Sequence, residues 1–177
     1  ATTAFAVTTG GVSNSVTSAT VSGSTVELTL TTTVKNDEAV TVAYTDPSVS
    51  DDANAIQDTE GNDVVDLAAT SVTNNTPPTF TSAETNTAGT KVILTYNEAL
   101  SATTASTSAF AVTTGGVNNS VTAATVSGST VELTLTTTVK NDEAVTVAYT
   151  DPSGSNDANA IQDSAGNDAT TLGSTSV

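Results

Sequence analysis

The chain matches itself. AFAVTTGGV at Ala4 to Val12 returns at Ala109 to Val117, and from that anchor residues 1–72 align without a gap on 106–177 at an offset of 105. Fifty-nine of those 72 positions are identical, and Val21 to Ser48 recurs unchanged. A chain of 177 residues with this repeat divides into two units of about 100 residues rather than one large domain. Copies this alike point to membership of a longer array. The differences cluster: Val49, Asp51, Thr59, Glu60 and Val64 to Asp66 become Gly154, Asn156, Ser164, Ala165 and Ala169 to Thr171, as in a loop that tolerates change. Asn74-Asn75-Thr76-Pro77-Pro78 holds the only Pro pair and reads as a linker over 74–78. Residues 78–177 then form a complete unit, whereas 1–73 form a unit that lacks counterparts of Pro78 to Ala105, its opening strands.

Strands follow from alternation. Val131, Leu133 and Leu135 alternate with Glu132, Thr134 and Thr136, giving a strand with one buried face behind a hairpin turn at Ser127-Gly128-Ser129. Beyond Lys140-Asn141-Asp142, Val145, Val147 and Tyr149 repeat the pattern, and these two strands are expected to pair antiparallel. Further strands fall near Thr79–Glu84, Thr90–Tyr96, Ala109–Thr114, Ser120–Val126 and Ala169–Val177, with a helical turn within Asn97–Ser108. About seven short strands per unit predict an all-β fold of tandem immunoglobulin-like β-sandwich domains. The expected core is Phe80, Val92, Leu94, Tyr96, Phe110, Val112, Val131, Leu133, Leu135, Val145, Val147 and Tyr149. Residues 1–72 have no equivalents of Phe80, Val92, Leu94 and Tyr96 and so should leave one flank of their core uncovered. The covering strands would come from a preceding repeat of the same parent chain or from a neighbouring molecule, and the first is the simpler source.

Composition excludes several classes. Three Lys and Arg against 19 Asp and Glu give a net charge of −16, which repels nucleic acid and anionic membrane. No Cys, His, Met or Trp is present, so the usual nucleophile, general base and soft-metal ligands are missing, and the chain reads as no enzyme. Apolar runs such as Val92-Ile93-Leu94 are only a few residues long, far too short to span a membrane. The chain starts at Ala1 rather than Met, as a processed product or an excerpt would. Acid excess without cysteine fits an extracellular or cell-surface address.

A Pro-initiated strand, then LTYNEAL, AFAVTTGGV, VELTLTTTV, VTVAYTDP and IQDSAGND occur in order between Pro78 and Val177. This set resembles the SWM-type repeat of a cyanobacterial swimming-motility cell-surface protein. The resemblance implies large secreted or surface proteins of bacteria, an immunoglobulin-like fold and no catalytic activity, and it names no ligand.

The sharpest local feature is the acidic loop. Asp46, Asp52, Asp58, Asn62 and Asp63 recur as Asp151, Asp157, Asp163, Asn167 and Asp168, with Asp51, Glu60 and Asp66 added in the first copy. Carboxylate and amide oxygens are the hard ligands that Ca²⁺ takes in sets of six to eight, which makes these ten residues candidate calcium ligands. The spacing is not that of an EF-hand, because Gly61 stands fourth from Asp58 and no Glu stands at the twelfth position. The competing reading is an Asx-type turn whose carboxylate caps backbone N–H groups. Lys91 alternates away from Val92 and Leu94, as a solvated lysine rather than an isopeptide donor would. Tyr44 and Tyr149 fit core packing by their alternation.

The function expected is a structural tandem-repeat segment of a large secreted or surface protein: a spacer, filament or surface-layer element stiffened by calcium. Its partners would be neighbouring repeats of the same or identical chains, in head-to-tail or lateral self-association. The alternative is an adhesin or phage-fibre module recognising glycans, which the low aromatic content of 3% disfavours.

Overall fold

The computed structural model describes residues 1–35, 38–48 and 50–177. Asn36, Asp37 and Val49, the last of these a position expected in the variable loop, lie outside the described residues. The chain divides into two compact units, Ala1–Asn74 and Asn75–Val177.

In the first unit the strands are β1 (Phe5–Thr9), β2 (Val12–Asn14), β3 (Val16–Ser22), β4 (Thr25–Leu30), β5 (Val40–Tyr44) and β6 (Leu67–Val72). The second unit has β7 (Phe80–Thr85), β8 (Lys91–Tyr96), β9 (Phe110–Thr114), β10 (Val117–Asn118), β11 (Val121–Ser127), β12 (Thr130–Leu135), β13 (Val145–Tyr149) and β14 (Leu172–Ser176). Every pairing among them is antiparallel. The fold is all-β.

The second unit is a sandwich of two four-stranded sheets, ordered β11-β12-β8-β7 and β10-β9-β13-β14. Val92, Leu94, Val131 and Leu133 from one sheet meet Val112, Val145, Val147 and Tyr149 from the other in a single core. The inward row is the one that alternation predicts, because β-branched and aromatic side chains at every second position fill the space between two pleated faces. Gly128 lies in the left-handed region at φ 59 and makes the two-residue turn between β11 and β12, where Ser127 stands opposite Thr130.

Several expectations are corrected. The strands around Val131–Leu135 and Val145–Tyr149 do not pair: β12 lies between β11 and β8, and β13 between β9 and β14. The nine residues between them cross from one sheet to the other, and Asn119 steers the start of that crossing. Its side chain, 3% exposed, donates to Thr137 O at 2.7 Å and accepts from Thr137 N at 3.0 Å. Asn14 holds Thr32 in the same way in the first unit. The turn expected within Asn97–Ser108 is confined to a 3₁₀ turn at Thr107–Ala109. Phe80 is only partly buried at the edge of the core, whereas Leu100, Ala105, Ile161 and Ala169, none of them expected, lie inside it. The last strand is shorter than expected, since Ala169 N donates to Ile161 O at 2.7 Å and is drawn into the core before the strand begins. Lys91 does point outward, but it pairs with Glu132 at 2.5 Å across the β8–β12 ladder.

The first unit repeats part of this plan. Its sheet β2-β1-β5-β6 matches β10-β9-β13-β14 strand for strand, but β3 and β4 form a sheet of two, with no counterpart of β8 and β7 beside β4 among the described residues.

Candidate functional site: the acidic loops and the open flank

The acidic loop of the second unit follows β13 and is anchored by Tyr149. This tyrosine is fully buried, its ring 5.4 Å from that of Phe110, and its hydroxyl accepts the Ile161 N–H at 3.0 Å. Burial pushes the phenol up to about 12, partly offset by the Ile161 N–H, so the hydroxyl stays protonated at any ordinary pH. Pinning Ile161 there places the next seven residues in a tight turn. Asp163 Oδ1 accepts the Asn167 N–H at 2.9 Å and its Oδ2 accepts Asn167 Nδ2 at 2.8 Å. Gly166, at φ 91, allows the reversal. Gln162 Nε2 donates to Gly166 O at 3.0 Å and to Asp168 Oδ1 at 2.7 Å, and Asp168 Oδ2 accepts the Asp157 N–H at 3.0 Å. Asp157 accepts from the Ser153 hydroxyl and, at 2.7 Å, from Asn159 N, and these donors hold its carboxyl below the usual carboxylate range. Asp151 Oδ1 accepts a long bond of 3.4 Å from Ser153 N.

The first unit draws the same pattern. Asp58 accepts from Asn62 Nδ2 at 2.7 Å and from the backbone N–H groups of Asn62 and Glu60, Asp63 from Asp52 N and Gln57 Nε2, and Asp46 from Ser48 N. Asn62 lowers the Asp58 carboxyl, and Ser48 with Asn54 lowers that of Asp52.

Within each loop the five candidate ligands are thus held in one network, the Asp carboxylates accepting from donors of their own loop and the Asn62 and Asn167 side chains donating to Asp58 and Asp163. Among the described residues no three acidic side chains form a ready-made cluster for a metal ion. The Asx-turn geometry accounts for the spacing D-x-x-G-N in both copies.

The two copies differ in what covers them. In the second unit the segment after β8 lies over the loop, with Leu100 N donating to Gly128 O at 2.9 Å and Ser101 N to Gln162 O at 2.8 Å. Ile161 is 0% exposed there and Asp163 1%, whereas Ile56 is half-buried and Asp58 exposed. The sheet shows the same contrast. Val131 and Leu133 are fully buried, while Val26 and Leu28, in an identical TVELTL strand, are only half-buried, and Val21 is 72% exposed. Phe5, Val21, Val26, Tyr44 and Ile56 line an open groove of about 160 Å³ where the second unit is closed. Comparison of the copies locates this flank, because Val92 and Leu94 of β8 pack beside β12 in the second unit and no described strand lies in that place beside β4.

The family described as "Putative flagellar system-associated repeat", the SWM repeat, matches residues 1–49 and 73–154. The chain belongs to the SWM repeat family. Both matches stop at the same point of the repeat, yet in each unit of this SWM chain the compact body continues past it through the acidic loop to the last strand, β6 or β14. The first match lacks the part that residues 73–105 contribute to the second, which is the part that covers the flank. No curated protein and no solved structure matches the chain. No helix among the described residues is long and apolar enough to cross a membrane.

Proposed function

We propose that this SWM chain is a non-catalytic structural segment of a surface or secreted, motility-associated protein, in which each repeat adds one folded β-sandwich to an acidic array. The observation that carries the reading is the internal use of the loop chemistry: the carboxylates of both acidic loops accept from backbone N–H groups and from side-chain amides of their own loop. Loops that would hold a substrate instead hold themselves. The net charge of −16 supports the same role, since like-charged repeats resist collapse and lateral sticking.

Tyr44, Tyr96 and Tyr149 are at most 4% exposed, so none offers the open ring face on which a sugar stacks, which weighs against the glycan-binding alternative. The test is mechanical. Pulling a chain of repeats end to end should give evenly spaced unfolding steps, each releasing a contour length of up to ~3.6 Å per residue of the unit. Unevenly spaced steps, or specific retention on a glycan array, would overturn the spacer reading.

A further inference from the structure

Among the described residues no strand pairs with the far edge of β4 in the first unit, and the second unit displays what fits that edge. β12 and β4 have the same sequence, TVELTL, and the same hairpin partner, yet β12 is flanked on its far side by β8 while β4 has no strand there among the described residues. On β12 the register sets Val131 opposite Leu94, Glu132 opposite Ile93 and Leu133 opposite Val92. Transferred to the first unit, the same register sets Val26, Glu27 and Leu28 against an identical row, with a lysine in reach of Glu27 as Lys91 is of Glu132. The segment after β8 would continue onto Gly23 O and Gln57 O, the equivalents of the Gly128 and Gln162 carbonyls that Leu100 and Ser101 engage. Edge, groove and acidic loop are therefore three parts of one surface, and a single segment covers all three in the second unit.

We propose that the open flank of the first unit is an acceptor site for an additional opening segment of the SWM repeat type, a β-hairpin and following turn with the chemistry of residues 78–105. An identical second chain is a poor donor. The sequence holds two acceptor flanks but one opening segment, so a chain that lends its segment uncovers its own second unit, and the number of open flanks is unchanged. The occupant is thus an opening segment beyond the one that already closes the second unit. The site stands whether or not the array is a spacer.

The test adds a peptide of the 28 residues Pro78 to Ala105 to the 177-residue chain. One peptide should bind per chain in native mass spectrometry. Amide exchange in the fragment Ser18–Leu30, which differs in mass from its second copy because Ala123 replaces Ser18, should slow by about tenfold or more. A peptide carrying Val92→Ser and Leu94→Ser should neither bind nor protect. Should the free peptide self-associate, the same 28 residues joined ahead of Ala1 should give a monomer in which β4 exchanges as slowly as β12. Absence of both binding and protection, equal binding of the doubly substituted peptide, or a β4-paired dimer that persists in the extended chain would each overturn the proposal.

Discussion

Leu28 and Leu133 occupy the same place in the same six-residue strand, so truncating each to alanine isolates what the covering segment contributes. Leu133 is 0% exposed and packed between two sheets. Removing three of its carbons forfeits roughly 2.4 kcal/mol of transfer free energy at about 0.8 per methylene, and the cavity left behind raises the cost of Leu133→Ala to about 3–5 kcal/mol. Leu28 is half-buried beside an open groove, so water enters without leaving a void, and Leu28→Ala should cost only about 1 kcal/mol. For a unit of this size each kcal/mol moves the melting temperature by roughly 4–8 °C, so Leu133→Ala should lower the second unit's transition by about 15 °C or more. Leu28→Ala should move the first unit's transition by well under half as much. Differential scanning calorimetry on the wild-type chain and the two variants reads both transitions, and each variant identifies its own. Equal shifts would refute the claim that burial of this strand is set by the segment 78–105.

Gly89 sits at φ 65, where an added Cβ would lie 2.5 Å from Val139 O, so Gly89→Ala should destabilise the second unit by about 1–3 kcal/mol, measurable by urea denaturation. Asp163→Ala strips the acceptors from a buried turn and should cost about 1–3 kcal/mol in the second unit, while Asp58→Ala, in the exposed copy, should cost visibly less in the same assay. The lowered carboxyls of Asp52, Asp58 and Asp157 stabilise the fold above their unfolded values and lose that effect as pH falls through their folded ones. Melting temperature should therefore hold from neutrality down to about pH 5 and drop below about pH 4; a rise on acidification would contradict the loop geometry. Because the loop oxygens face N–H donors, adding ~1 mM Ca²⁺ or a chelator should leave the melting temperature of residues 78–177 unchanged within about 1 °C, and a shift of several degrees would show that the loop rearranges into a calcium site.

Much of this molecule is legible in its letters, and the failures are instructive in kind. Period-two rows at Val131–Leu135 and Val145–Tyr149 announce strands because a pleated strand with one dry face admits no other pattern. They cannot announce partners, and so the expected pairing of β12 with β13 fails: a nine-residue connection is compatible with a long hairpin or a crossing, and a buried Asn119 clip selects the crossing. Ile161 escapes notice because its neighbours are Gln162 and Asp163, and periodicity carries no signal for one apolar residue in a polar loop, although a tyrosine hydroxyl pins it at the centre of the core. Composition leaves the same loop open to two readings, because acids that cap N–H groups and acids that bind metal are the same letters. Identity of sequence between the copies also does not carry identity of environment. Val26 and Val131 differ in nothing that a strand of six residues can express, and yet one is sealed and the other lines a groove, because burial belongs to the neighbour that supplies the cover.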